Sequence, residues 1–299
     1  MTAATTCSGW SREQLVDPIG TAGNYSGFLL LEYPLPWPRE AAEIKDLSEI
    51  ASAAKALNVR LQAVVPEQPG VSRVTLYIWD GALSRYIGWE RVAAQADVAT
   101  PAGDLLAGDM VGAEAVEKTD VLICTHGARD RCCGASGTKL HMEARARGLG
   151  PTVRIRRTSH LGGHRFAPTA LLLPEGTSWA FLDYKALAQI VHRCGPVSEQ
   201  LRRYRGCTGL DRPAAQALER AVLAQVGWSL LDWKRTFTEA GAGLLTITTV
   251  GPSGDERSWR GRISAGRRVG VPTCPMTSDP EKFETELLAE LLHEPAPSR

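Results

Sequence analysis

At 299 residues the chain is long for one compact domain and has material for more than one core. With 43% hydrophobic residues, 22% charged residues and a formal net charge of +1, it lacks the one-signed field that would draw nucleic acid or an anionic membrane. Apolar runs such as Phe28 to Leu31 are far too short to cross a bilayer, and MTAATTCSGWSREQ has neither the basic start nor the apolar stretch of a signal peptide.

The first organised block spans residues 26 to 95. Phe28 to Tyr33 is predicted as a strand ended by Pro34, Pro36 and Pro38. Ala42 to Leu57 follows with apolar residues at Ile44, Leu47, Ile50, Ala51, Ala54 and Leu57, the spacing of an amphipathic helix. Val59 to Val65, Val74 to Trp79 and Tyr86 to Val92 are predicted strands, the last two around the turn-like DGAL. Residues 93 to 117 have weak periodicity and are expected to be a connection. The expected first domain, residues 1–115, is a small α/β layer whose element order suggests a thioredoxin-like fold.

The same element order then recurs over residues 116–210, with no repeat of the sequence itself. Asp120 to Ile123 is a strand leading into Cys124. Gly137 to Arg147 is a helix, and Val153 to Thr158 a strand delivering His160. Thr169 to Leu173 and Ser178 to Leu182 form a hairpin around PEG, and Tyr184 to Arg193 a helix. The last stretch, 211–299, is expected to be an α+β extension for packing or for meeting a partner. It has a helix from Asp211 to Val226, N-capped by Asp211 with Pro213 in its first turn. A hairpin from Leu244–Val250 and Trp259–Ile263, a closing helix from Phe283 to Leu292 and a frayed EPAPSR tail complete it.

Chemistry concentrates in two short segments. Cys124 and Cys133 stand in CTHGARDRCCG, and His160 and His164 in SHLGGHRF. Gly162 and Gly163 make a regular helix between the histidines unfavourable, so a tight turn is expected to bring both imidazoles to one point. Two thiolates and two imidazoles suit either tetrahedral zinc or a two-iron cluster. Eight residues between the cysteines is wide for a zinc knuckle and leans toward iron–sulfur. Seven cysteines are an odd number and argue against a disulfide framework, so a reducing cytoplasm is the expected location. Cys7, Cys194, Cys207 and Cys274 are expected to be small buried hydrophobes. His126, inside the ligand loop, is either a hydrogen-bond donor behind the ligands or a structural side chain, and His141 is expected on a helix surface. Arg154, Arg156, Arg157 and Arg165, with Arg129 and Arg131, either dock an acidic redox partner or form a solvated face.

CTHGARDRCCG, SHLGGHRFAPTALLLPEG, WAFLD and RYRGCTGLD resemble the signature stretches of the sucrase/ferredoxin-like family, most closely over about residues 118 to 215 and less over Gly20 to Trp37. The resemblance implies a thioredoxin-like ferredoxin domain in which Cys124, Cys133, His160 and His164 ligate a [2Fe–2S] cluster. One departure from the pattern is Cys132, an alternative ligand beside Cys133; the Gly134 that follows favours Cys133. The implied function is a single-electron carrier between a reductase and an acceptor protein, a redox carrier more than an enzyme. No paired carboxylates of the glycosidase kind stand out. Neutral imidazoles in place of thiolates raise the potential, and their free ring N–H groups couple electron uptake to proton uptake. Two other readings stand beside this one: a zinc-stabilised structural or binding module using the same four ligands, and a thioredoxin-like thiol oxidoreductase using Cys132 or Cys133.

Overall fold

The computed structural model describes residues 6–274, 276 and 278–293. Helix α1 (Cys7–Glu13) precedes a first unit of β1 (Gly27–Glu32), α2 (Ser48–Ala56), β2 (Val59–Val64), β3 (Val71–Asp80) and β4 (Arg85–Ala94), followed by α3 (Ala99–Leu106) and the short β5 (Glu114–Ala115). A second unit runs through β6 (Thr119–Cys124), α4 (Thr138–Arg147), β7 (Val153–Thr158), β8 (Ala170–Leu173) and β9 (Thr177–Trp179), then α5 (Tyr184–His192) and β10 (Tyr204–Cys207). Helix α6 (Pro213–Val226) leads to β11 (Lys234–Glu239), β12 (Leu244–Val250), β13 (Glu256–Gly270) and β14 (Phe283–His293).

Both units have one topology. In each, the first strand lies parallel to the second and antiparallel to the third, which pairs antiparallel with the fourth. The recurring element order read in the sequence is therefore a recurring sheet order. The two sheets are linked edge to edge by one residue pair, Val64↔Thr158, in a ten-stranded order β10-β9-β8-β6-β7-β2-β1-β3-β4-β5. At that seam the surface folds over and the two halves face each other.

Side-chain alternation explains why. Leu29 and Leu31 of β1 join the core beneath α2 and α3, while Phe28 and Leu30, with Tyr77 and Tyr86 of the same unit, meet Leu122, Leu171 and Leu173 from the opposite half. In the second unit Val121, Ile123, Ala170 and Leu172 instead face the core shared with α4, α5 and α6, while Leu122 and Cys124 point the other way. Strands apolar on both faces are what a sheet buried on both sides requires. The layers run helices, sheet, sheet, helices, and then the antiparallel β11-β12-β13-β14 sheet on the far side of α6, with Leu245, Ile247 and Trp259 in the core.

Several expectations change. Residues 93–117 carry α3 and β5, because Pro101, Ala102 and Leu105 make a short buried face. The stretch from Ala42 opens with two 3-10 turns, and the α-helix starts only at Ser48. Asp211 does not cap α6: Arg212 holds the N-cap position without a side-chain cap bond, and the guanidinium of Arg212 occupies the Asp211 carboxylate at 2.8 Å. The predicted helix from Phe283 to Leu292 is a strand paired to β13. Leu287, Ala289 and Leu291 pack on the core that α6 shares while Leu288 is exposed, so a period of two won over a period of 3.6. The EPAPSR tail lies outside the described residues.

Candidate metal centre

Strand β6 ends at Cys124, which is fully buried and packs with Cys7, Cys132, Cys133 and Ala167. The chain then loops through residues 125–131 and returns in a π-helical turn, Cys133–Gly137, that feeds α4. Two close approaches shape this loop. A Cβ on Gly137 would stand 1.9 Å from the Cys124 carbonyl oxygen, and one on Gly134 would stand 2.6 Å from Gly127 Cα. Only glycine lets the turn lie flat against the strand end, which places the two buried thiols together.

The histidine segment comes from β7 and is held mostly by other elements. Arg60 and Gln62 of β2 both donate to the His160 carbonyl, at 2.5 and 3.2 Å. The Ser159 hydroxyl donates to Gln62 at 3.0 Å. Arg205 of β10, buried, donates to the Gly162 carbonyl at 3.1 Å and to the Thr21 carbonyl at 2.6 Å. The glycine-rich loop is thus clamped from both units.

Cys124, Cys133 and His160 bring one ligand atom each to within 4.8 Å of one another. The Cys124 thiol is held well below its usual range, first by a hydrogen bond from Cys133 and further by His160, against the effect of burial. Cys133 is correspondingly raised by the same bond and by desolvation. His160 keeps Nδ1 buried without a hydrogen-bond partner. His164 stands beside these three: its ring centroid is 6.3 Å from that of His160, and its Nδ1 lies 2.9 Å from Asp130 Oδ2. A carboxylate on one ring nitrogen is the usual second partner of a metal-bound histidine and leaves the other nitrogen available, although His164 is not among the three mutually close ligand atoms. Desolvation raises the Asp130 carboxyl, but the bond to His164 and backbone N–H groups outweigh it and hold the group below its ordinary range. Both cysteines are buried and both histidines are half-exposed. Beside His160 opens a cleft of about 430 Å³ lined by Tyr25, Lys55, Arg60 and Gln62 among others.

A second group of four lies next to the first. Cys7, Asp130, Cys132 and Cys274 also bring ligand atoms to within 4.8 Å of one another. Cys7 and Cys274 depart from their expected role, because they reach this group from the two ends of the chain. Cys207 is a buried core residue as expected, and Cys194 is exposed.

Three of the arginines depart from both expectations, while Arg131 is exposed as a solvated face requires. Arg154 donates to Asp120 at 2.7 and 2.8 Å and to Glu90 at 2.6 Å, Arg156 pairs with Glu32, and Arg165 pairs with Glu284. All three are buried. Their charge is spent inside the molecule. Arg129 pairs with Glu40 at the surface at 2.7 Å. His126 is buried, its ring edge-on to Trp37 at 5.7 Å, the structural alternative. His141 is partly buried near Arg145 and Arg157, and desolvation followed by those charges lowers it to about 4.

Fold and site together define an α/β protein with two groups of side chains able to hold a metal ion, one of them rich in buried cysteine. The chain belongs to the sucrase/ferredoxin-like family, whose model matches residues 18–206. No curated protein and no solved structure matches it. No helix among the described residues is long and apolar enough to cross a membrane.

Proposed function

We propose that this protein is a single-electron carrier whose resident group is a [2Fe–2S] cluster held by Cys124, Cys133, His160 and His164. The observation that carries the reading is the donor set itself: two buried thiols from one loop and two half-exposed imidazoles from the other, inside the segment that matches the family. The unpartnered Nδ1 of His160 and the Asp130-held Nδ1 of His164 fit such a group. When bound, the cluster would accept and release one electron at a time at a potential above that of an all-cysteine ferredoxin.

The protein's own residues do the rest. Cys124 and Cys133 bind on the dry side, where burial excludes water. His160 and His164, both half-exposed, would hold the group on the side facing solvent. Each ligating imidazole holds a proton on its other nitrogen. At His164 the nitrogen facing Asp130 is Nδ1, 2.9 Å from Oδ2, so Nε2 would be the one left to ligate. Redox partner proteins, a reductase and an acceptor, are expected to dock over this half-exposed rim, and a reducing cytoplasm suits seven cysteines without a disulfide.

The test is iron and sulfide analysis of anaerobically prepared protein, with electron paramagnetic resonance after dithionite reduction. Two irons and two sulfides per chain, with nitrogen hyperfine coupling in the reduced spectrum, are expected. Iron without sulfide, or neither, removes the reading. A second reading is favoured by the mutual closeness of Cys124, Cys133 and His160, which suits three ligands on one ion. A colourless protein with stoichiometric zinc and no sulfide would establish that structural module instead.

A further inference from the structure

We infer that Cys7, Cys132 and Cys274, with the Asp130 carboxylate as fourth group, form a second metal site that takes a single thiophilic divalent ion of the zinc type. The inference goes beyond the electron-carrier reading and does not depend on it.

The sulfur atoms of Cys7 and Cys132 are 3.2 Å apart, and those of Cys132 and Cys274 are 3.1 Å apart. The Cys7 backbone N–H donates to Cys274 Sγ at 3.2 Å. These residues are separated by 125 and 142 positions, so no local turn forces them together. Asp130 accepts the Cys132 N–H at 2.8 Å, which aims the carboxylate into the group. Three sulfurs and a carboxylate oxygen are a donor set for tetrahedral zinc, with Zn–S near about 2.3 Å. The ligand atoms, all within 4.8 Å of one another, leave room for one ion.

Each ligand is carried by a segment braced toward this point. Helix α1 brings Cys7, and its C-terminal end is tied to the last sheet: Arg267 donates to the Gln14 and Leu15 carbonyls at 2.7 and 2.6 Å. Glu286 accepts the Asp17 N–H at 2.8 Å. The loop after β13 brings Cys274. Cys132 comes from the cysteine loop of the first site. Cys7 and Cys274 lie outside the family-matched residues 18–206, whereas Asp130 and Cys132 lie within them. A metal here joins α1 and the β13–β14 connection to the loop that carries Cys133. Binding displaces whatever thiol protons remain, and the three sulfurs ligate as thiolates.

The test compares metal content in the wild type and a Cys7→Ser, Cys274→Ser double variant, both purified anaerobically and passed through a mild chelating step. The wild type is expected to hold one zinc per chain, the double variant none, with iron and sulfide unchanged between them. Zinc equal in both proteins, no zinc in the wild type, or a Cys7–Cys132 disulfide found by mass spectrometry in its place would each overturn the inference. Loss of iron from the double variant would overturn it too, because the thiols would then belong to the first site. Should the double variant fail to fold, the single Cys274→Ser variant, changed at a partly exposed position, takes its place and is expected to lose at least tenfold in zinc affinity measured by competition with a chromophoric chelator. Unchanged affinity there sinks the proposal as surely. Iron content is read separately in every sample, so failure of the electron-carrier reading leaves this result standing.

Discussion

Asp130 meets both candidate sites in one side chain, with one oxygen on the Cys132 N–H and the other on His164 Nδ1. The pair predicts a pH-dependent midpoint potential that falls as pH rises, with a slope approaching about 59 mV per pH unit where one proton follows one electron. Asp130→Asn should weaken the hold on the His164 proton and shift that pH dependence, and His164→Cys should lower the potential and flatten it. Protein-film voltammetry across pH 6 to 9 reads all three, and a flat wild-type potential would refute histidine ligation. At His141 the folded value lies near 4, below the ordinary value of about 6.5. Above pH 6.5 the ring is neutral in both folded and unfolded chains. As pH falls below 6.5 the unfolded chain takes up a proton that the folded one refuses, so stability drops down to about pH 4 and then levels. Urea midpoints at pH 7 and pH 5 should differ less in His141→Gln than in the wild type. Gly137→Ala pushes a methyl group into the Cys124 carbonyl and should cost about 2–3 kcal/mol, with iron content falling as the loop shifts. The candidate ligands stood out in the sequence, because thiols and imidazoles in fixed local pairs have few other uses, and the structure brings Cys124, Cys133 and His160 together. Arg205, Arg60 and Gln62 were not, since each acts on the histidine loop from a distant strand and nothing local marks it.

At the scale of elements, the turns and strands with a single dominant period were legible. Val153–Thr158 and Leu244–Val250 fall where the alternation puts them. FETELLAELL supports two periods at once, and only the free edge of β13 settles which is used. The same edge brings Glu284 to Arg165 and Glu286 to Arg267, so this strand braces α1 and the histidine loop. Helix α6 is anchored by a buried pair: Glu219 accepts the Tyr204 hydroxyl at 2.6 Å and lies 3.3 Å from Arg235 Nε. Arg235 donates in turn to the Ser84 carbonyl at 2.8 Å. Glu219→Gln strands a buried guanidinium and should destabilise the protein by about 3–5 kcal/mol, measured by guanidinium unfolding. A loss under 1 kcal/mol would show that Arg235 finds other acceptors.

Across the whole molecule, the two α/β units share one backbone pair at the seam and much side-chain contact across their facing sheets. Asp120 sits between those faces, accepting from Tyr77 at 2.7 Å and from Arg154 at 2.7 and 2.8 Å. Asp120→Ala removes the shared acceptor and should separate unfolding into two steps, seen as non-coincident fluorescence and circular dichroism transitions. Coincident transitions in that variant would mean the apolar facing surfaces suffice.

Composition, element periods and the paired cysteine and histidine segments were enough to place the chain in an α/β class and to single out side chains able to hold a metal, because those signals are local. The face-to-face closure of the sheets, the burial of Arg154 and Arg156, and the meeting of Cys7, Cys132 and Cys274 were decided by tertiary structure alone. They depend on which surfaces bury each other, and no short-range pattern in a chain encodes a contact between positions 7 and 274.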